Sequence, residues 1–198
     1  MDAHKDYIGS KIGMWIFLLS EVLLFGGLFV LYAAYRYKFR GDFHLAAMDL
    51  DRVLGTLNTV ILLTSSLTMA LSVSSIRKGF RISSLGYLIV TVLLGLFFLV
   101  NKYVEWTGKV GHGIYPNSPH LLERSSGEIL FFGLYYAMTG LHGLHVLVGI
   151  GLLSLMGLWV AKGSIQTTDF VSLENSGLYW HLVDIIWIFL FPLFYLIT

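Results

Sequence analysis

Residues 12–35 read IGMWIFLLSEVLLFGGLFVLYAAY and carry one formal charge, Glu21. A bilayer's hydrocarbon core is about 30 Å thick and a helix rises about 1.5 Å per residue, so roughly 20 apolar residues cross it. This stretch is long enough to be a membrane span, and 53–76, 85–103, 129–161 and 178–198 are four more. The stretch 129–161 is too long for a perpendicular crossing, which predicts tilt or a turn or two in water. The polar segments between spans are short and leave no room for a soluble domain. The expectation is one all-α domain over 1–198, a polytopic membrane helix bundle with five transmembrane helices.

Composition agrees. Of 198 residues, 56% are hydrophobic and 13% charged, about half the charged share of soluble domains. The first span lacks the basic start and cleavage site of a signal peptide, so it is expected to stay in the mature protein. There is no cysteine, which excludes disulfides, thiolate metal sites and cysteine nucleophiles. Net charge is +1 and no basic cluster stands out, so no nucleic-acid partner is expected. Five spans put the termini on opposite sides, but Lys and Arg do not orient them. Lys5, Lys11, Arg77, Lys78, Arg81 and Lys162 on the N-terminal side oppose Arg36, Lys38, Arg40, Arg52, Lys102, Lys109 and Arg124.

Between the spans, 36–52 mixes charge with apolar residues and reads as an interfacial connection. The longest connection, 104–128, holds glycines and prolines that forbid a long helix. Its GKVGHG is no phosphate loop, because no strand precedes it and no Gly-Lys-Ser/Thr follows.

Ionisable groups inside hydrocarbon are costly and each needs a reason. Glu21 lies about 13 Å into the first span and Asp184 about 9 Å into the last. Odd-numbered spans start on one face, so one polar cluster could hold both. In TGLHGLHVLVGIG, His142 and His145 share a helix face, and Gly133, Ala137, Gly140, Gly143, Gly149 and Gly151 let a neighbour approach closely. His181 and Asp184 repeat the three-residue spacing, and His181 with polar atoms from neighbouring spans is expected to satisfy Asp184, locking the last span against the first and fourth, with Trp180 and Trp187 shielding the acid.

Glu21, His142, His145, His181 and Asp184 could make a metal site, but a di-iron bundle needs two Glu-x-x-His elements and none occurs. A two-haem quinone-reactive anchor needs four well-placed His, and only three lie within spans. Glu21 could carry a proton. The plain alternative is that the five satisfy one another in a packed bundle. Hydroxyls in NTVILLTSSLTMALSVSS can bond back to their own helix. In NKYVEW, Lys102, Glu105 and Trp106 read as an interfacial anchor or a site for a lipid phosphate or ammonium. No hydrolase, zinc-protease or nucleotide motif is present, so no catalytic residue is assigned.

Taken together, FLLSEVLLFGGLF (17–29), LLTSSLTMAL (62–71), KYVEW (102–106), YYAMTGLHGLHVLVGIGLL (135–153) and GLYWHLVDIIWIFLFPLFYL (177–196) resemble subunit III of the haem-copper terminal oxidases in its five-helix bacterial form. The resemblance touches every span. It implies a non-catalytic subunit beside subunit I, with subunit II in the complex, in a bacterial cytoplasmic membrane with the N-terminus cytoplasmic. Haem and copper would sit in the partner catalytic subunit and none in this chain, which would hold structural phospholipid, with Trp180 joining Lys102, Glu105 and Trp106 as candidate contacts. It would also support proton uptake. Glu21 matches the family's buried glutamate, and His142, His145, His181 and Asp184 its intramembrane polar cluster. A subunit-III-like accessory protein of a nitric oxide reductase would share many of these motifs.

Overall fold

In a computed structural model, which describes residues 7–197, the chain is a bundle of helices. Lys5 of the charge count and Thr198 at the end of the fifth span lie outside the described residues. Five long helices, α1 (Tyr7–Lys38), α3 (Arg52–Arg77), α4 (Arg81–Gly111), α6 (Ser126–Lys162) and α7 (Val171–Tyr195), are each long and apolar enough to cross a membrane. Two short ones, α2 (Arg40–Met48) and α5 (Pro119–Leu122), sit between them.

The helices overrun the apolar stretches. α4 continues through Val104 to Gly111, a segment expected to be connection, because the first proline of that connection comes only at Pro116. α6 has 37 residues, about 55 Å of helix, so it must tilt or project from the hydrocarbon. The 36–52 connection contains α2, which buries Phe43, Ala46 and Ala47.

Local sequence explains the ends. Asp51 caps α3 by accepting from the backbone N–H of Val53 and Leu54 at 2.9 and 3.1 Å. Ser125 caps α6 by accepting from the backbone N–H of Glu128 at 3.3 Å, and its hydroxyl donates to Glu128 Oε1 at 3.2 Å. At the other end of α6, Gly163 takes the left-handed conformation at φ 79°, and Arg81 Nε from α4 donates to Val160 O at 2.6 Å while its Nη2 donates to Ala161 O.

α3 and α4 form an antiparallel pair tied at three depths. Ser72 bonds Ser84 O at 2.9 Å, Thr68 bonds Thr91 at 2.8 Å, and Asn101 Nδ2 donates to Asn58 Oδ1 at 3.0 Å. Threonines of α3 also bond back to their own helix, as Thr59 does to Gly55 O. The serines reach across instead: Ser65 accepts Trp180 Nε1–H at 2.7 Å and Ser66 meets His181 Nδ1 at 2.7 Å.

Trp180 is the central wedge. A Cβ on Gly95 or on Gly149 would lie 2.7 Å from its ring, so both helices admit the indole only because those positions are glycine. The small-residue stripe of α6 therefore receives a side chain at Gly149, and Trp106 lies against Gly140. Gly133, Gly143 and Gly151 have nothing within 4 Å of an added Cβ. α1 buries Leu18, Phe25 and Tyr32, one residue every two turns, with Glu21, Leu28, Phe29 and Tyr35 partly buried beside them.

Candidate functional site

The intramembrane polar groups do not form one cluster. They separate into three settings, each fixed by helix position.

Near the C-terminal side, Lys102 and Glu105 stand one turn apart on α4 and form an ion pair at 2.8 Å, with side chains 8% and 3% exposed. Tyr135 of α6 and Tyr195 of α7 complete the set. Lys102 Nζ also lies 3.0 Å from each tyrosine hydroxyl, and both hydroxyls donate to Glu105 Oε1 at 2.8 Å. An ammonium has three N–H donors, and all are engaged here. The ammonium also stands 5.0 to 5.7 Å from the ring centres of Tyr135, Trp187 and Tyr195. A bound lipid phosphate at Lys102 would have to displace one of these partners. Neither tyrosine was singled out from the sequence, although a Lys and Glu this deep require partners on neighbouring helices.

At mid-span, Glu21 of α1 lies 2.9 Å from His145 Nε2 of α6. His145 Nδ1 is 2.8 Å from Leu141 O, and a carbonyl only accepts, so Nδ1 carries the hydrogen. The short Nε2 contact then needs one proton on either Glu21 or Nε2. The side chains are 14% and 15% exposed and open onto a groove of about 340 Å³ beside Met14, Phe17, Leu144 and Tyr179.

The third setting lies between α6, α3 and α7. His142 is fully buried, its Nε2 donates to Val183 O at 3.1 Å, and its Nδ1 has no hydrogen-bond partner among the described residues. The expected His181 to Asp184 pairing is corrected: His181 Nδ1 bonds Ser66, the hydroxyl beside Asp184, and neither carboxyl oxygen of Asp184 has a partner among the described residues. A three-residue separation does not make two side chains meet when one is drawn to the facing helix. Trp180 is corrected as a lipid contact too, since its ring is fully buried between α4, α6 and α3.

Outside the spans, Arg124 bridges Asp49 at 2.6 Å and Glu128 at 3.0 Å, tying the end of α2 to the start of α6. The hydrogen bond to Asp49 pushes the Arg124 guanidinium pKa up, against a smaller opposing effect of burial. Among the described residues, no three His, Asp or Glu side chains are placed to hold a metal ion. The arrangement can lock helices together, α1 to α6 through Glu21 and His145 and α4 to α6 and α7 through Lys102 and Glu105.

The model of the family described as cytochrome c oxidase subunit III matches residues 3–198. Over 197 residues the chain is 32% identical to cytochrome c oxidase subunit 3 of Thermostichus vulcanus, covering 98% of this chain and 90% of that protein. It is 31% identical over 190 residues to the probable quinol oxidase subunit 3 of Staphylococcus haemolyticus, covering 95% of this chain and 89% of the other. It is 30% identical over 199 residues to heme-copper oxidase subunit I+III of Aeropyrum pernix, covering 98% of this chain but 23% of that longer protein. With a match from end to end of the five-helix bundle, the chain belongs to the cytochrome c oxidase subunit III family.

Proposed function

We propose that the chain is the non-catalytic third subunit of a haem-copper respiratory oxidase in a bacterial cytoplasmic membrane, its N-terminus on the cytoplasmic side. It docks on subunit I, with subunit II in the same complex, and the partner catalytic subunit carries haem and copper. Oxygen reduction and proton translocation belong to that assembly. The family match over residues 3–198 carries this reading, and the fused subunit I+III relative supports the partner.

Here the chain stabilises subunit I, supports its proton uptake and holds structural phospholipid. The lipid reading draws support from a groove of about 340 Å³ between α4 and α6, beside Leu99, Lys102, Tyr103, Trp106, Gly140 and Gly143. Trp106 Nε1 is buried there with no partner among the described residues. Because Lys102 is saturated by Glu105, Tyr135 and Tyr195, Trp106 is the donor left for a lipid oxygen. Glu21, His142, His145, His181 and Asp184 serve as the intramembrane polar set that positions the helices, and the Glu21 and His145 pair ties α1 to α6.

The test is to tag the chain, extract it gently with native lipids, identify what co-purifies and record a reduced-minus-oxidised spectrum. A large partner bringing haem and copper is expected. A nitric oxide reductase partner, or b-type haem bound to the chain alone, would overturn the assignment.

A further inference from the structure

Five aromatic side chains of α4, α6 and α7 touch one after another. The ring centres of Trp187 and Tyr195 are 6.3 Å apart, those of Tyr195 and Tyr135 6.4 Å, Tyr135 and Tyr136 5.3 Å, and Tyr136 and Trp106 5.2 Å. Every step lies within the range of about 4.5 to 7 Å in which aromatic pairs interact. Trp187, Tyr195 and Tyr135 are fully buried, while Trp106 lines the groove between α4 and α6, so the file runs from the interior to the bundle surface. In a chain without cysteine, indole and phenol are the side chains that give up one electron most readily.

A proton acceptor separates this file from ordinary core packing. A phenol that loses an electron becomes a strong acid, and it is oxidised most easily where its proton has an acceptor within hydrogen-bond reach. Tyr135 and Tyr195 each donate to Glu105 Oε1 at 2.8 Å, and the Lys102 ammonium at 2.8 Å keeps that carboxylate ionised. The other three rings have no carboxylate: Tyr136 donates to Ile114 O at 2.7 Å, Trp187 Nε1 to Thr59 Oγ1 at 3.0 Å, and Trp106 Nε1 has no partner among the described residues. Lys102 also stands 5.0 to 5.7 Å from the ring centres of Tyr135, Trp187 and Tyr195, which opposes a positive charge held on those rings. Passing the phenol proton to Glu105 removes that charge from the ring and leaves it on an ammonium still within 3.0 Å of both tyrosine oxygens.

We propose that Tyr135 and Tyr195 with Glu105 form a redox site that stores one oxidising equivalent as a neutral tyrosyl radical. A one-electron oxidant draws an electron through Trp106 and Tyr136, the hydroxyl proton of Tyr135 or Tyr195 passes to Glu105 Oε1, and the oxidant is reduced by one electron. An electron returning through the same rings, with the proton going back from Glu105 to the phenoxyl oxygen, restores the starting state. In the assembly the oxidant is a one-electron oxidant formed at the partner's oxygen-reducing centre, and that use rests on the reading of the chain as an oxidase subunit. The radical site needs only this chain.

The test uses the full chain in nanodiscs, oxidised by a light flash on ruthenium tris-bipyridine with persulfate and read by electron paramagnetic resonance. Wild type is expected to give a long-lived neutral tyrosyl signal that ascorbate removes. Tyr135→Phe with Tyr195→Phe keeps every ring and should shorten its lifetime several-fold. Lys102→Met with Glu105→Leu keeps both phenols without their acceptor and should do the same. Trp106→Phe leaves the Lys102, Glu105 and tyrosine set intact and should lower the radical yield several-fold, so the proposal stays testable even where the double variants fold poorly. No tyrosyl signal in wild type, or an undiminished yield in Trp106→Phe, would overturn the proposal. A lifetime unchanged in the tyrosine double variant would also overturn it, by placing the radical on exposed tyrosines such as Tyr37. Failure to co-purify with an oxidase leaves this readout standing, so the two readings fail separately.

Discussion

Lys102 and Glu105 meet at 2.8 Å one turn apart on α4, and the tyrosines that enclose them come from two other helices, Tyr135 from α6 and Tyr195 from α7. The charge pair therefore holds three helices at one point. Removing one member of a buried pair strands the other, at a cost of about 3 to 5 kcal/mol, whereas replacing both by apolar residues is often near neutral. Glu105→Ala should lower the melting temperature sharply in detergent, and Lys102→Met with Glu105→Leu should recover most of the loss. A double variant as unstable as the single one would show that the tyrosine hydroxyls, not the charges, dominate.

Gly149 and Gly151 are two residues apart on α6, yet their surroundings differ. The Trp180 ring would lie 2.7 Å from a Cβ at Gly149, while nothing lies within 4 Å at Gly151. Gly149→Ala should cost about 1 to 3 kcal/mol by overpacking, and Gly151→Ala should be neutral or slightly stabilising. Equal melting temperatures for the two variants would sink the wedge description of Trp180.

Asp184 reverses an expectation. Had His181 bonded it, replacing it would have stranded a partner, at about 1 to 3 kcal/mol. With no partner on either oxygen, Asp184→Asn should leave the melting temperature nearly unchanged, and Ser66→Ala should be the costlier change because it strands His181. Thermal unfolding of both variants under one set of conditions decides between these accounts.

Glu21 and His145 should tolerate a neutral replacement that keeps the bond. Glu21→Gln retains an N–H donor for Nε2, while His145→Phe leaves the carboxyl facing an apolar ring. The first should assemble and melt like wild type, and the second should lose about 1 to 3 kcal/mol. A destabilised Glu21→Gln would mean that the pair's charge, rather than its hydrogen bond, holds α1.

Arg124 offers a salt test. A basic group with a raised folded pKa contributes stability below its unfolded value and loses it only as pH rises through the folded one, so its share is constant at working pH. Side chains there are 22% and 35% exposed, so Arg124→Gln should cost only about 0.5 to 1 kcal/mol. The difference from wild type should shrink from low salt to about 1 M, where screening acts over about 3 Å.

The five spans were legible because hydrocarbon thickness imposes a length that composition reveals directly. Helix ends were not, since α4 outlasts its apolar stretch through residues such as Thr107 and Gly108 that a helix tolerates at the interface. Within the candidate site, sequence spacing showed which polar side chains are expensive: Glu21, His142, His145, His181 and Asp184. It could not choose their partners, because partner choice depends on the rotation of one helix against another. Thus His181 turns to Ser66 and Glu21 reaches His145 across 124 residues of chain. Tyr135 and Tyr195 escaped notice because tyrosines in this chain are common and carry no charge.

The three ties between α3 and α4 bear on the order in which the protein is made. Ser72 with Ser84, Thr68 with Thr91 and Asn101 with Asn58 need no other helix, so this hairpin can enter the bilayer with those groups already matched. Ser65, Ser66 and Thr59 then present hydroxyls that α7 meets with Trp180, His181 and Trp187. The ribosome delivers α7 after α3 and α4, so it arrives after the surface that receives it, and for these three helices the direction of synthesis runs the same way as the direction of assembly.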